Sequence, residues 1–363
     1  YMSTRRQFFK NLFGFIIILF TLKYSKILKA MNIRPYHHLP DGTFRNLPGS
    51  PQREVNRKSG NFFKFLYKAL IKKKMFDRKE IPDDIPNNHY LTQENAIKKF
   101  IENKDNISVT WLGHASFLIK LNNECILTDP FLTTKAGPFG VGPSRYIKPG
   151  IKISDLPKIN TILISHNHYD HLDIKTLIKI KNKNEVTIVC PLKLSKLIKS
   201  LGYKKVVELD WYENHDLKNF KIISMPAYHW SIRLGQKRNS TLWCGYLIKY
   251  NKTNIYFSGD TAFGPVFSEL GYKYGPMDLT LIPIGAYQPR TMMKSSHCTP
   301  EEAVEIVTML KSKNILGMHW GTIRLSAENP WEPPKKFYNA AKSKGYNDSQ
   351  IWQLAIGQTK SLI

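Results

Sequence analysis

Short runs of apolar, mostly β-branched residues recur along the chain, each ending abruptly in polar positions. Ile162-Leu163-Ile164, Lys221–Met225, Asn254–Phe257 and Ile315–Met318 are too short and too branched for helices and read as buried strands. Val186–Cys190 and Val206–Leu209 read the same way, and Ser108–Leu121, Asn122-Asn123 and Glu124–Thr128 read as a hairpin. Helical spacing separates them at Asp173–Asn182 and Leu192–Leu201, and Thr299 is a candidate N-cap for a helix opened by Pro300-Glu301-Glu302. This alternation predicts an α/β sandwich over residues 107–363.

The first hundred residues follow a different pattern. The pair Arg5-Arg6 ahead of the apolar run Leu12–Leu22 predicts a twin-arginine-like signal or membrane anchor within residues 1–30, because eleven apolar residues suit a signal better than a spanning helix. Residues 31–106 read as a basic arm and linker. Within it, Phe62, Phe65, Leu66, Ala69 and Leu70 recur at helical spacing among lysines, a basic amphipathic helix suited to anionic lipid or to covering the core.

Charge sharpens this picture. The 363 residues carry a formal net charge of +26, and residues 1–80 hold 18 lysines and arginines against 4 acidic residues. Such a balance suits an anionic partner, either a membrane surface or nucleic acid. With 42% hydrophobic residues the composition is that of a globular chain. The four cysteines show no paired spacing, and Cys125, Cys190 and Cys244 fall in apolar contexts that suggest packing.

The polar ends of the strands carry the chemistry. After Ile164 and Ser165 comes His166-Asn167-His168-Tyr169-Asp170-His171. His166 and His168 can bind one ion while Asp170 and His171 turn toward a second; imidazole and carboxylate are ligands that Zn²⁺ accepts without thiolate. The other strands end in His229, in Gly259-Asp260 and in His319, so that four strand ends bring seven ligands to one edge. Tyr169 is a candidate substrate contact or wall residue, Arg233 a candidate phosphate contact, and Arg145 and Tyr146 are placed at the cleft mouth.

The ordered set His-x-His-x-Asp-His, His, Asp, His resembles the metallo-β-lactamase superfamily. The segments Thr110–Ala115, Leu127–Pro130, Glu208–Trp211, Ile282–Arg290, Pro300–Val304 and His319–Thr322 resemble, more narrowly, the phospholipase D family that hydrolyses N-acylphosphatidylethanolamines. The resemblance implies a four-layer αββα sandwich with two metal ions. His166, His168 and His229 would hold the first, Asp170, His171 and His319 the second, and Asp260 would bridge them. It further implies that Asp129 orients the metal loop from behind, that His297 lies beside the metals, and that the enzyme forms a homodimer.

The implied reaction is phosphodiester hydrolysis, releasing phosphatidic acid and an N-acylethanolamine, with hydroxide supplied by two Zn²⁺ (or Fe or Mn) and oriented by Asp170. His297 would stabilise the phosphate or protonate the leaving oxygen; the alternative is a polar residue ahead of a helix. The expected partners are phospholipid and a membrane surface, on the exported face of a bacterial inner membrane. A lactonase or another phosphodiesterase would use the same ligands. A nuclease fits less well, because the export signal argues against it and no stacking motif is visible.

Overall fold

The computed structural model describes residues 34–52, 82 and 84–362. The predicted signal over residues 1–30 and the basic helix over 61–76 lie outside the described residues. Among the described residues no helix is long and apolar enough to cross a membrane. The described chain divides between Arg45 and Asn46 into two compact units. The smaller is a turn closed by a bridge between His38 and Phe44, with Asp41 Oδ1 accepting from the Thr43 amide at 3.0 Å.

The larger unit is an α/β fold built on two mixed sheets. The first contains β1 (Ile107–Gly113), β2 (Ser116–Leu121), β3 (Glu124–Thr128), β4 (Thr161–Leu163), β5 (Thr187–Pro191), β6 (Lys205–Leu209) and the C-terminal β14 (Thr359–Ser361), in the order β14-β1-β2-β3-β4-β5-β6. The second contains β7 (Asn214–Asp216), β8 (Lys221–Met225), β9 (Gly245–Tyr250), β10 (Thr253–Phe257), β11 (Leu279–Pro283), β12 (Asn314–Met318) and β13 (Ile351–Trp352), in the order β13-β12-β11-β10-β9-β8-β7. Pairing is antiparallel from β14 to β3 and parallel from β3 to β6. In the second sheet it is parallel from β13 to β10 and antiparallel onward to β7.

Side chains alternate across a strand, so each sheet has two buried faces. On the first, Leu112, Leu118, Leu127 and Ile162 pack with α1 (Gln93–Glu102), α2 (Ile174–Lys179) and α3 (Ser195–Ser200) through Ala96, Phe100, Leu177 and Ile198. On the second, Leu247, Tyr256 and Ile282 pack with α4 (Val266–Tyr274), α6 (Pro300–Met309) and α7 (Glu332–Ser343) through Phe267, Val304 and Phe337. A further one-turn helix, α5, spans Arg290–Met293. The alternate residues Trp111, Phe117, Ile119, Tyr246, Ile248 and Phe257 are also fully buried. Complete burial of each such side chain is worth about 1.5–3 kcal/mol. Tyr246 donates its hydroxyl to the carbonyl of Ile164 at 2.8 Å, tying the second sheet to the end of β4.

Three expectations are revised. The segment Ser108–Leu121 is two strands, broken where Gly113 (φ 98°) and His114 (φ 59°) take left-handed conformations. Arg145 is buried rather than at the cleft mouth; its guanidinium donates to the carbonyls of Leu112, Phe131 and Ile147, so a polar-looking stretch hides a brace. The helix expected over Asp173–Asn182 is only Ile174–Lys179, with Asp173 as its N-cap accepting from the Lys175 amide at 3.0 Å. All four cysteines are free and buried.

Candidate metal centre

The loop after β4 is held from behind by Asp129, the residue that follows β3 with φ 31°. Its Oδ1 accepts from the Ser165 amide at 2.7 Å, and its Oδ2 accepts from the Ser165 hydroxyl and, at 2.7 Å, from His171 Nδ1. A hydroxyl that donates to a carboxylate is left to accept, and Ser165 Oγ lies 2.9 Å from His166 Nδ1. His229 Nδ1 meets the carbonyl of Ser296 at 2.9 Å. One nitrogen of each ring is thereby committed, which aims Nε2 of His166, His171 and His229 into the site.

The ligand atoms converge in two groups. His166, His168 and His229 form one, with His166 Nε2 2.8 Å and His229 Nε2 3.2 Å from His168 Nδ1. His114, Asp170, His171 and His319 form the other. Asp260 Oδ2 stands between them, 3.2 Å from His171 Nε2, 3.1 Å from His319 Nε2 and 3.8 Å from His229 Nε2. His297 joins His229 and Asp260, its Nδ1 3.9 Å from Asp260 Oδ2.

These residues fit two cations. His171 Nε2, His319 Nε2, His297 Nδ1 and Asp260 Oδ1 are buried with no hydrogen-bond partner, a state that costs about 1–3 kcal/mol per group unless something else satisfies it. Burial holds His166 and His229 well below the ordinary histidine range and His168 at about 3, so these three rings are neutral, the form in which imidazole can bind a metal. Burial alone would raise Asp170 and Asp260, but the charge of His171 outweighs it at both, aided by the His114 hydrogen bond at Asp170 and by the charge of His319 at Asp260, and keeps both carboxyls ionised. The reciprocal effect overcomes burial at His171, which is held well above its usual value, and at His319, raised to about 9. An ion bound there would displace those protons.

Around the metal-ligand groups lies a cavity of about 610 Å³, walled by His168, Tyr169, Asp170, Trp230, Asp260 and His297 with Ile232, Leu234 and Met293 beyond. Tyr169 and Arg233 line it together. The guanidinium stacks 3.9 Å over the tyrosine ring, and its Nη1 donates to the carbonyls of Asn167 at 2.8 Å and Leu172 at 2.9 Å. Arg233 thus also braces the metal loop. His297 precedes the capping box of α6, in which Thr299 and Glu302 satisfy each other's backbone amides. Arg290 grips Glu302 with two hydrogen bonds and donates to the His297 carbonyl at 2.7 Å, which fixes this turn.

Residues 124–320 match the family model described as the Beta-lactamase superfamily domain. The chain belongs to the beta-lactamase superfamily. Among its relatives, an N-acyl-phosphatidylethanolamine-hydrolyzing phospholipase D 1 of Caenorhabditis elegans is 35% identical over 287 residues, 76% of this chain and 79% of that protein. The mitochondrial N-acyl-phosphatidylethanolamine-hydrolyzing phospholipase D of Saccharomyces cerevisiae is 34% identical over 246 residues, 66% of this chain and 53% of that protein. Igni18, a metallo hydrolase of the archaeon Ignicoccus hospitalis, shares the fold at a TM-score of 0.54 with 19% identity, covering 71% of this chain and 98% of that one. The protein is a metal-dependent hydrolase of this superfamily.

Two residues at the superfamily site escaped the sequence reading. His114 donates from Nε2 to Asp170 Oδ2 at 2.9 Å, and its carbonyl accepts from the amide of His319 at 3.2 Å. Its signal was present in Gly113-His114, but a strand read straight through to Leu121 conceals a turn. Asn46 accepts from the His229 amide at 3.1 Å and donates to the His229 carbonyl at 3.0 Å; the resemblance of its segment to the family's N-terminal arm implies a distant contact, but no local pattern singles out His229.

Proposed function

We propose that the protein hydrolyses the phosphodiester of an N-acylphosphatidylethanolamine-type phospholipid, releasing phosphatidic acid and an N-acylethanolamine. One observation carries the reading: two groups of metal-capable side chains joined at Asp260 face a largely apolar cavity large enough for an acyl chain. The names of the C. elegans and yeast relatives point to the same substrate.

His166, His168 and His229 would hold one ion, Asp170, His171 and His319 a second, and Asp260 both, within the four-layer αββα arrangement of the family. Zn²⁺ suits this imidazole and carboxylate set, and Fe or Mn would be accepted by the same donors. Two such ions supply Lewis acidity toward phosphate oxygens and a nucleophile at neutral pH.

The chain's own residues do the rest. Asp170, fixed by His114 and kept ionised, accepts a hydrogen bond from the attacking water and orients it. Tyr169 and Arg233 stand beside His168 where a phosphate oxygen would lie. His297, buried next to Asp260, hydrogen-bonds the phosphate or returns the proton to the leaving ethanolamide oxygen. As the new P–O bond forms and the old one breaks, the proton lost by water ends on that alcohol. No serine or cysteine nucleophile is required.

The test is phosphatidic acid release from N-acylphosphatidylethanolamine by metal-quantified protein, with His168→Ala alongside. Lipid hydrolysis that follows metal content and disappears in the variant supports the reading. Protein that is metal-loaded, leaves the lipid untouched and cleaves a lactone or another phosphodiester overturns it.

A further inference from the structure

Three strongly exposed apolar side chains lie on loops beside the proposed substrate cavity. Phe139 is 91% exposed, Leu234 67% and Val141 60%. A second cavity, of about 480 Å³, brings Phe139 and Leu234 together with Ile174 and Leu197, and it shares Pro138, Tyr169, Arg233, Leu234 and Gln236 with the metal-side cavity.

The loop that carries Phe139 is a built structure. It closes on itself through the Ala136 amide to the Pro143 carbonyl at 3.0 Å and the Val141 amide to the Pro138 carbonyl at 2.8 Å. A Cβ on Gly137 would lie 1.7 Å from the Val141 carbonyl oxygen, and Gly142 has φ +142°, so only glycines permit this closure. Closed this way, the loop leaves Phe139 and Val141 exposed.

Apart from the buried Asp173, which lines the second cavity, the surroundings are cationic. Residues 131–147, 174–182, 192–207 and 230–245 contain no aspartate or glutamate. Lys135, Lys175, Lys179, Lys196, Lys237 and Arg238 are exposed within them. Apolar tips rimmed by lysines, in segments without an exposed carboxylate, complement a layer that is apolar inside and negative at its surface.

We propose that this face docks the protein onto an anionic lipid bilayer, Phe139 and Val141 entering the acyl layer while the lysines meet the head groups. The proposal rests on the reading of the neighbouring cavity as a lipid site, since docking here lets an acyl chain pass from bilayer to cavity without crossing water.

The full chain with Phe139→Cys, labelled with an environment-sensitive fluorophore, tests it; the four native cysteines are buried, so the label is selective. The vesicles are phosphatidylcholine, with or without phosphatidylglycerol. Neither lipid is N-acylated, so docking is read without turnover and its failure is distinct from failure of the hydrolysis assay. The expected result is a blue shift and quenching by brominated acyl chains, stronger with phosphatidylglycerol. Lys135→Glu and Lys175→Glu should each weaken binding by about five-fold or more. The proposal is overturned if no vesicle is bound, or if the protein sediments with vesicles while the fluorophore stays in water, which would place docking elsewhere. A shift that depends on protein concentration without vesicles would show that a second copy covers this face and would overturn it equally.

Discussion

At the scale of single residues, four of the candidate ligands, His166, Asp170, His171 and His229, are each aimed by a partner outside the ligand set. Asp129 orients His171 directly and His166 through Ser165, while Ser296 orients His229. His114 extends the same logic to Asp170. Removing its hydrogen bond in His114→Ala should weaken the ion held by Asp170, His171 and His319 by about 10–100-fold while sparing the other, a split readable by titrating metal-free protein with Co²⁺ and following the absorption of each site. His168→Ala removes a ligand rather than a partner. It should abolish binding at the first site and lower hydrolysis by more than about 100-fold, checked by metal content and initial rate. The convergence of these metal-capable side chains was legible in the sequence because they fall in one dense loop and at three strand ends. His114 and Asn46 were not, because one depends on a turn inside an apparent strand and the other on a contact 183 residues away.

At the scale of elements, short strands and capped helices deliver these side chains, and the ends matter more than the middles. The apolar runs predicted every strand that carries a ligand, since burial on both faces leaves an unmistakable pattern. Arg145 was misplaced because nothing local tells a buried arginine that serves three carbonyls from a solvated one. The capping box of α6 was half visible, with Thr299 expected and Glu302 closing it. Thr299→Ala should cost about 0.5–2 kcal/mol in denaturant unfolding and, because His297 lies two residues upstream, loosen that side chain as well. Gly271 in α4 lies so close to α6 that an added Cβ would stand 1.8 Å from the Met309 carbonyl oxygen. Gly271→Ala should therefore lower stability by about 1–3 kcal/mol through overpacking, measurable as a lower denaturant midpoint with unchanged slope.

At the scale of the whole molecule, the two sheets share one centre. The first contributes His166, His168, Asp170 and His171 beyond β4, and the second contributes His229, Asp260 and His319 beyond β8, β10 and β12. Ions bound between them stabilise the folded state by mass action, about 4 kcal/mol when free metal exceeds the dissociation constant a thousandfold. Stripping metal with a chelator should therefore lower the thermal midpoint by several degrees, and readdition should restore it; calorimetry of both forms checks this.

The order in which the ligands occur along the chain has a consequence during synthesis. The first group is complete only when His229 has been made, and the second only when His319 has, 90 residues later. A ribosome-bound chain carrying the dense histidine loop therefore has ligands without a site. Metal capture becomes a late event that reports on successful docking of the two sheets, and a chain truncated before His319 would be produced with half a centre and no means to close it.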